Sequence, residues 1–422
     1  MLYIIAEIII IVILCIFIGL RGTYVRRDVF MLFFWIVNLY QSLVATTTCL
    51  AMLSSTYSDS WFEYKILFNN NTFLFIHIVF IVNIIFALTE LFIPKAKFSY
   101  DTYTKLPYIV KKHSPLFKFL GVCFFVSGTI FFFLYYSLSY DAYQDVVYNN
   151  NKWVYWLVMV SSCSIFYFAA KKKYILVAYL LFLFGAVALN TTVRQVFFIP
   201  MLPLAALYLS NFWKIGFSFK KFSFFVVPAF VVVLLFGLLM NSSKFSNATM
   251  LPDAELTPMA INTLNTYDFK HDGYLTFTTF GDFIFGITSP IRLALQYIGI
   301  TFEKPLALPH ITAALMMGDK NLDATVGEWH CPATIYLDFY VSWGWFFPIA
   351  VFFAYYIIVW AFKFINKSRT LTILMSFQLM NFIYFFIRGA VDTAAGTLAF
   401  PALYLLIILF IYKGNLSFLY KE

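Results

Sequence analysis

The sequence predicts an all-α, polytopic membrane protein with about eleven transmembrane helices and one large external loop that contains short helices. Of the 422 residues, 62% are hydrophobic and only 12% are charged, which is too apolar for a soluble domain. Apolar runs of about 17 to 25 residues recur along the chain, and a run of this length can cross a hydrocarbon core of about 30 Å. The short segments between the runs alternate between basic and non-basic composition.

The apolar runs and the polar or proline-containing breaks between them place the individual helices. They are expected near residues 2–20, 29–52, 72–93, 119–139, 153–170, 175–192, 195–212, 223–240, 337–362, 371–387 and 397–412. The first run has no basic residues before it and no small-residue cleavage site after it, so we expect a retained helix. The chain then divides into helices one to eight at 1–240, a large loop at 241–336, and three helices with a tail at 337–422, all within one integral membrane domain.

Lysine and arginine set the expected orientation. Basic segments such as "RGTYVRRD" and "KKK" fall on one side of the membrane when the chain is threaded through eleven helices. The positive-inside rule places that side in the cytoplasm, with the N-terminus outside and the C-terminus inside. The net charge of +9 therefore indicates membrane orientation and not nucleic-acid binding. The five cysteines show neither a disulfide framework nor a metal-ligand spacing.

Three arginines, Arg194, Arg292 and Arg388, are expected on the outer side, against this charge pattern. An arginine at membrane depth costs about 2.5 to 3.5 kcal/mol on insertion and needs an acidic or anionic partner. Arg388 precedes Asp392 by about one helical turn, so an ion pair between them is one interpretation. Arg194 has no lysine, aspartate or glutamate within ten residues, which favours an anionic ligand. Guanidinium groups bind phosphate oxygens bidentately, so the set predicts a lipid phosphate or pyrophosphate site, with snorkelling to lipid headgroups as the alternative.

The polar residues late in the large loop supply the candidates for a base. Glu328 and His330 lie shortly before Asp338, which is expected in the first turn of a helix that begins near Ile335. A carboxylate there is also favoured by the helix dipole alone, so a structural role is the alternative. His310 and His330 are twenty residues apart without an HExxH grouping, so we expect no metal site.

The layout and the residues after the large loop resemble the Wzy-type O-antigen and oligosaccharide repeat-unit polymerases of bacterial surface polysaccharide assembly. The family's pattern of Pro-Ala-x-x-Tyr-x-acid-x-Tyr-x-x-aromatic-Gly is similar to Pro332, Ala333, Tyr336, Asp338, Tyr340, Trp343 and Gly344. Arg292, ahead of Lys304 and Pro305, resembles the family's loop arginine, and Arg194 resembles its basic residue in an earlier short loop. The chain departs from the family's arginine followed eleven positions later by glycine, because Ala205 and Glu303 occupy those places.

The resemblance implies transfer of a growing glycan from its undecaprenyl pyrophosphate carrier to another lipid-linked repeat unit, at the periplasmic face of the bacterial inner membrane. No metal or cofactor is expected, and a chain-length-regulating co-polymerase is a further partner that it suggests. The implied roles are pyrophosphate binding for Arg194, Arg292 and Arg388, proton transfer for Asp338, Glu328 or His330, and sugar contact for Tyr336, Tyr340 and His310.

Two other functions stay open at this point. The related O-antigen ligases use the same donor but a different acceptor. A lipid-linked oligosaccharide transporter, or flippase, belongs to a different class and would also need cations for pyrophosphate. A transport path should be lined by polar and ionisable groups across the membrane, whereas such groups gather on one expected face here, which favours the polymerase.

Overall fold

The computed structural model describes residues 2–26, 28–52, 57–58, 65–66, 69–93, 101–139, 142–143, 152–191, 193–210, 253–266, 278–296, 298–300, 308–316 and 334–413. Helices make up nearly all of the regular structure in these ranges. The exception is a pair of two-residue strands, β1 (Tyr57–Ser58) and β2 (Lys65–Ile66), which pair antiparallel.

The described helices number twenty α-helices with one π-helical and one 3-10 segment. Those up to residue 210 are α1 (Leu2–Ile13), continued by a π-helix at Leu14–Leu20, α2 (Arg21–Arg26), α3 (Val29–Ala51), α4 (Asn70–Phe92), α5 (Asp101–Thr104), α6 (Leu106–Lys112), α7 (Ser114–Tyr135), α8 (Lys152–Ser161), α9 (Ser164–Ala170), α10 (Tyr174–Thr191) and α11 (Arg194–Ser210). The later ones are α12 (Leu256–Thr266), α13 (Thr278–Ile287), α14 (Ser289–Gln296), α15 (Leu308–Met316), α16 (Ile335–Trp343), a 3-10 turn at Gly344–Phe346, α17 (Phe347–Ile365), α18 (Arg369–Leu374), α19 (Ser376–Ile387) and α20 (Val391–Lys413).

Within the described ranges, eight helical stretches are long and apolar enough to cross a membrane, so the chain is a multi-pass membrane protein. They are Tyr3–Thr23, Val29–Ala51, Asn70–Phe92, Ser114–Tyr135, Trp153–Ala170, Tyr174–Thr191, Ile335–Ile365 and Val391–Tyr412. Two shorter apolar helices are Gln195–Ser210 and Ser376–Ile387. Ten of the eleven predicted helices thus have a counterpart. The remaining one, the eighth in chain order, near 223–240, lies outside the described residues. The total of eleven and the orientation of the termini stay predictions.

Capping side chains begin two of the central helices. The Asp28 carboxylate accepts hydrogen bonds from the backbone N–H groups of Phe30 (3.0 Å) and Met31 (3.2 Å) at the start of α3. Asn69 and Thr72 form a reciprocal capping box at the start of α4. These caps satisfy N–H groups that a helix end leaves without an intrahelical partner. Both starts are therefore specified by local sequence.

The large predicted loop contributes four short helices that pack on the bundle. α13 and α14 pack alongside α20, and α12 packs against α3, α4 and α15. Near the end of α12, Asn265 accepts hydrogen bonds from Asn69 (2.9 Å) and Asn71 (2.8 Å) at the start of α4. We refer to this end of the bundle, where α3 ends and α4 begins, as the α3–α4 end.

The beginning of α12 lies deeper in the bundle than its end. Gln41 on α3 donates a hydrogen bond to Asp253, which precedes α12 by a short turn (Nε2 to Oδ2, 2.9 Å). Gln41 is ten residues from Ala51, which corresponds to about 15 Å along a helix. The segment from Asp253 to the end of α12 therefore runs from the level of the middle of α3 to the α3–α4 end.

Candidate functional site

The start of α16 and the end of α19 touch through their backbones. The Thr334 N–H donates a hydrogen bond to the Arg388 carbonyl oxygen (3.0 Å). The next residue, Gly389, has φ +80°, and a Cβ atom there would lie 2.5 Å from the carbonyl carbon of Thr334. Only glycine suits both the left-handed backbone and this approach. We call the residues Thr334, Asp338, Arg388 and Gly389 the α16–α19 junction.

Asp338 is the buried acid of this junction. It lies in the first turn of α16, as predicted, and is 0% exposed. Its Oδ1 accepts hydrogen bonds from the hydroxyls of Thr279 (2.5 Å) and Ser342 (3.0 Å). Its Oδ2 is buried and has no hydrogen-bond partner among the described residues, and neither has the hydroxyl of Thr334, four positions earlier. Buried polar atoms are nearly always hydrogen-bonded, so these two atoms, one helical turn apart, are the ones that a further polar group would satisfy.

Helix α13 holds Thr279 against Asp338. The Thr279 N–H also donates to the Ser342 hydroxyl (3.2 Å). Farther along α13, Gly286 lies so close to α20 that an added Cβ would be 2.6 Å from the Cβ of Ala395. Small residues at helix contacts allow this close approach within membranes. The packing of α13 on α20 therefore fixes the hydroxyl that orients the acid.

Arg388 forms an ion pair with Asp253. Its Nη2 lies 3.2 Å from Asp253 Oδ1, and its guanidinium carbon lies 5.4 Å from the centre of the Tyr384 ring. The second oxygen of Asp253 accepts hydrogen bonds from Gln41 (2.9 Å) and the Tyr384 hydroxyl (3.3 Å). The sequence interpretation paired Arg388 with Asp392, but it missed Asp253, whose carboxylate is brought to Arg388 by the packing of α12.

Arg292 is engaged at the end of α13. Its guanidinium carbon lies 3.2 Å from the centre of the Phe285 ring, and Nη2 donates a hydrogen bond to the Phe285 carbonyl oxygen. That carbonyl belongs to the last turn of α13, where a cation is favoured. Burial lowers the pKa of the Arg292 guanidinium, which stays charged at neutral pH. Among the described residues, these contacts of Arg292 and those of Arg388 involve different partners.

Four of the predicted site residues are not described at the level of their side chains. Arg194 begins α11 and His310 lies in α15, but both side chains are outside the described part of the chain. Glu328 and His330 fall in 317–333, which also lies outside it. Their roles stay predictions.

The two tyrosines predicted to contact sugar lie inside the protein. Tyr336 is 0% exposed, and its hydroxyl forms hydrogen bonds with Ser42 (2.8 Å) and with Asn38 Oδ1 (3.1 Å). Tyr340 is 7% exposed and packs edge-on against Phe347. Nearly every residue of α16 is buried, because the helix is enclosed by its neighbours. Tyr336 and Asp338 are both 0% exposed, so either could reach a sugar only after the helices around α16 open, and the sugar-contact role of the two tyrosines stays a prediction.

Sequence reasoning missed two residues that shape the site. Thr279 had a weak signal, because it and Asp282 are spaced one helical turn apart in an otherwise largely apolar stretch, and both are buried. Asp253 had none, because its partners Gln41, Tyr384 and Arg388 are distant in sequence.

No group of three or more His, Cys, Asp or Glu side chains comes together as a metal site within the described ranges. No family model, no curated protein and no solved structure matches the chain. The chemistry of the α16–α19 junction is therefore the basis on which a function can be inferred.

Proposed function

We propose that the chain is a membrane glycosyltransferase that joins undecaprenyl-pyrophosphate-linked oligosaccharide repeat units into a surface polysaccharide, the activity of the polymerases that its sequence resembles. Asp338 carries this proposal. One oxygen of its carboxylate is oriented by the hydroxyls of Thr279 and Ser342, and the other is buried with no hydrogen-bond partner among the described residues. A fixed carboxylate with one unpartnered oxygen can accept the proton of an attacking sugar hydroxyl once the helices that bury it open, because Asp338 is 0% exposed in this structure.

The guanidinium group of Arg388 suits the other half of such a transfer. The bond between the sugar's anomeric carbon and the carrier pyrophosphate breaks as the acceptor oxygen bonds to that carbon. The pyrophosphate leaves with the bonding electrons, and the proton of the acceptor hydroxyl passes to Asp338. A cation placed beforehand near the leaving group stabilises its developing negative charge. Arg388 adjoins the start of the helix that carries Asp338, through the Thr334 backbone bond of 3.0 Å.

The Asp253 carboxylate holds Arg388 in this structure, so an anionic substrate has to displace or share that partner. In the proposal Arg194 and Arg292 add positive charge around the carrier phosphate. Glu328 or His330 is the alternative proton acceptor, and His310 contacts sugar. The site faces the periplasm of a bacterial inner membrane, with the N-terminus outside and the C-terminus inside.

One observation favours transport of a lipid-linked oligosaccharide as the second candidate. The Arg388–Asp253 pair lies level with the middle of α3, a candidate membrane span, because Gln41 binds the same carboxylate. The start of α16, the end of α19 and the turn before α12 meet near this level. Interrupted helices that end near the middle of a membrane are typical of transporter substrate sites.

The decisive experiment separates chain extension from movement across the membrane. The purified full chain is reconstituted in vesicles with a lipid-linked repeat unit, and both the product length and the leaflet of the substrate are measured. We expect lengthened products from the wild type. Asp338→Asn should slow extension by about 10²- to 10⁴-fold, the usual contribution of a positioned acid or base.

Asp28→Asn is the matched control, because it also changes a buried carboxylate to an amide. Asparagine caps a helix as well as aspartate does, so α3 should still begin correctly and extension should be unchanged. Extension at the wild-type rate by folded Asp338→Asn protein would remove Asp338 as the base. Substrate that changes leaflet without being lengthened would replace the transferase with the transporter.

A further inference from the structure

Six lysines from two distant segments lie on elements that pack together at the end of the bundle opposite the α3–α4 end. Lys105, Lys111 and Lys112 lie on or beside α6, and Lys171 to Lys173 form the turn between α9 and α10. All six are exposed. α6 packs against α9, which brings the two groups of lysines to the same side of the bundle. We call these six residues the lysine patch.

Both halves of the lysine patch are held by well-defined backbone. α6 buries Leu106, Ile109 and Val110 against the bundle and leaves its lysines outside. In the turn after α9, the Lys173 N–H donates to the Phe168 carbonyl (2.8 Å) and the Lys172 N–H donates to that of Ala169 (3.0 Å). This is a Schellman motif, and Lys172 occupies its left-handed position with φ +55°.

The two segments that carry the lysine patch, 102–118 and 164–175, contain no aspartate or glutamate, and Asp101 lies directly before the first of them. Beside the lysines, Tyr108 is 63% exposed, Tyr174 63% and Ile175 86%. Exposed aromatic and apolar side chains next to lysines at helix ends are typical of a membrane–water interface, where the ammonium groups reach the level of the lipid phosphates.

We propose that the lysine patch binds the phosphate-containing headgroup of an anionic phospholipid in the adjoining leaflet. The charge of the patch selects an anion, and its exposed tyrosines and Ile175 place that anion at the membrane surface. Such a site anchors α6 and the α9–α10 turn to one lipid and is independent of the chemistry at the α16–α19 junction. Each lysine near an anionic surface contributes about fivefold to lipid affinity.

The test titrates detergent-purified full chain with short-chain phosphatidylglycerol and counts bound lipid by native mass spectrometry. The triple variant Lys111→Gln, Lys171→Gln, Lys172→Gly should bind about a hundredfold more weakly, from about fivefold per lysine. Glycine suits the backbone at Lys172, so the turn should be preserved. The control Lys363→Gln, Lys367→Gln removes two lysines at the end of α17, which are not part of the lysine patch, and should leave this binding within about twofold.

Lys172→Gly alone, with an expected loss of about fivefold, serves as the readout if the triple variant does not fold. Equal binding of zwitterionic phosphatidylcholine would overturn the proposal, because the lysines would then be irrelevant. The proposal would also be overturned if the triple variant bound phosphatidylglycerol with wild-type affinity. The same holds if the α17 control lost as much affinity as the triple variant. Competition by inorganic phosphate at the same concentrations would show a site for soluble anions instead of a lipid site.

Discussion

Breaking the ion pair between Arg388 and Asp253 should destabilise the folded state by several kilocalories per mole. The side chains are 18% and 3% exposed, so solvent screens the pair little. Arg388→Met leaves a buried carboxylate with the neutral donors Gln41 and Tyr384. Removing one partner of a buried pair costs about 3–5 kcal/mol, and because these two donors remain we expect a loss near 3 kcal/mol.

Asp253→Asn perturbs the same pair from its other side. Asparagine tolerates the left-handed backbone at this position, where φ is +65°, so the change removes charge without adding strain. It also keeps one oxygen that Arg388 can bind. The expected loss is about 2 kcal/mol, in the range of a hydrogen bond to a charged group. Asp253→Ala should cost about 1 kcal/mol more, because alanine is strained at this φ.

The assay is equilibrium unfolding in mixed micelles with increasing dodecyl sulfate, followed by tryptophan fluorescence. We expect the double variant Arg388→Met, Asp253→Asn to lose clearly less stability than the two single losses added, with a coupling of at least about 1.5 kcal/mol. If the loss in the double variant equals the sum of the two single losses within about 0.5 kcal/mol, the two side chains do not interact, because independent sites are additive to that extent.

Two further changes test how the neighbouring helices are held. Arg292→Met removes the contact with the Phe285 ring and carbonyl, so we expect about 1–2 kcal/mol less local stability and faster hydrogen exchange in 278–296. Exchange that stays at the wild-type rate would show that α13 does not depend on this cap. Gly389→Ala adds a Cβ atom 2.5 Å from the Thr334 carbonyl carbon at φ +80°, so it should force α16 away from α19. The left-handed backbone alone adds about 1–2 kcal/mol of strain, so we expect chain extension to fall about five- to thirtyfold. Gly281→Ala, which meets no atom within 4 Å, is its control, and an equal effect of both substitutions would contradict the role of the junction.

The positions of the membrane helices could be predicted because each long apolar run has to bury its backbone in a lipid core. Boundaries were less accurate where a helix extends into polar sequence. The last helix was predicted at 397–412 but begins at Val391, since its first turns carry the small and polar residues "VDTAAGT". Helix α7 begins at Ser114 instead of near 119. The apolar run starts only after Lys118, whereas the helix itself starts directly after the short helix α6.

The candidate site was only partly predictable, for a different reason. Asp338 has a local signal, a lone carboxylate in the first turn of an apolar helix. Its partner Thr279 lies on a separate short helix whose depth in the bundle no local pattern specifies. The ion pair of Arg388 is harder still, because Asp253 lies before another short helix whose packing no local pattern specifies. Contacts between segments far apart in the chain follow from packing and leave no periodicity to detect.

The placement of Asp253 also constrains the order in which the protein is assembled during translation. Asp253 is synthesised well before Arg388, yet its carboxylate is enclosed by Gln41 of α3 and by Tyr384 and Arg388 at the end of α19. Until α19 has entered the membrane, the Asp253 carboxylate lacks its partner Arg388, and burying this unpaired charge in the bundle is unfavourable. A nascent chain that stops before residue 388 should therefore hold this segment outside the bundle, where proteases can recognise an unfinished protein.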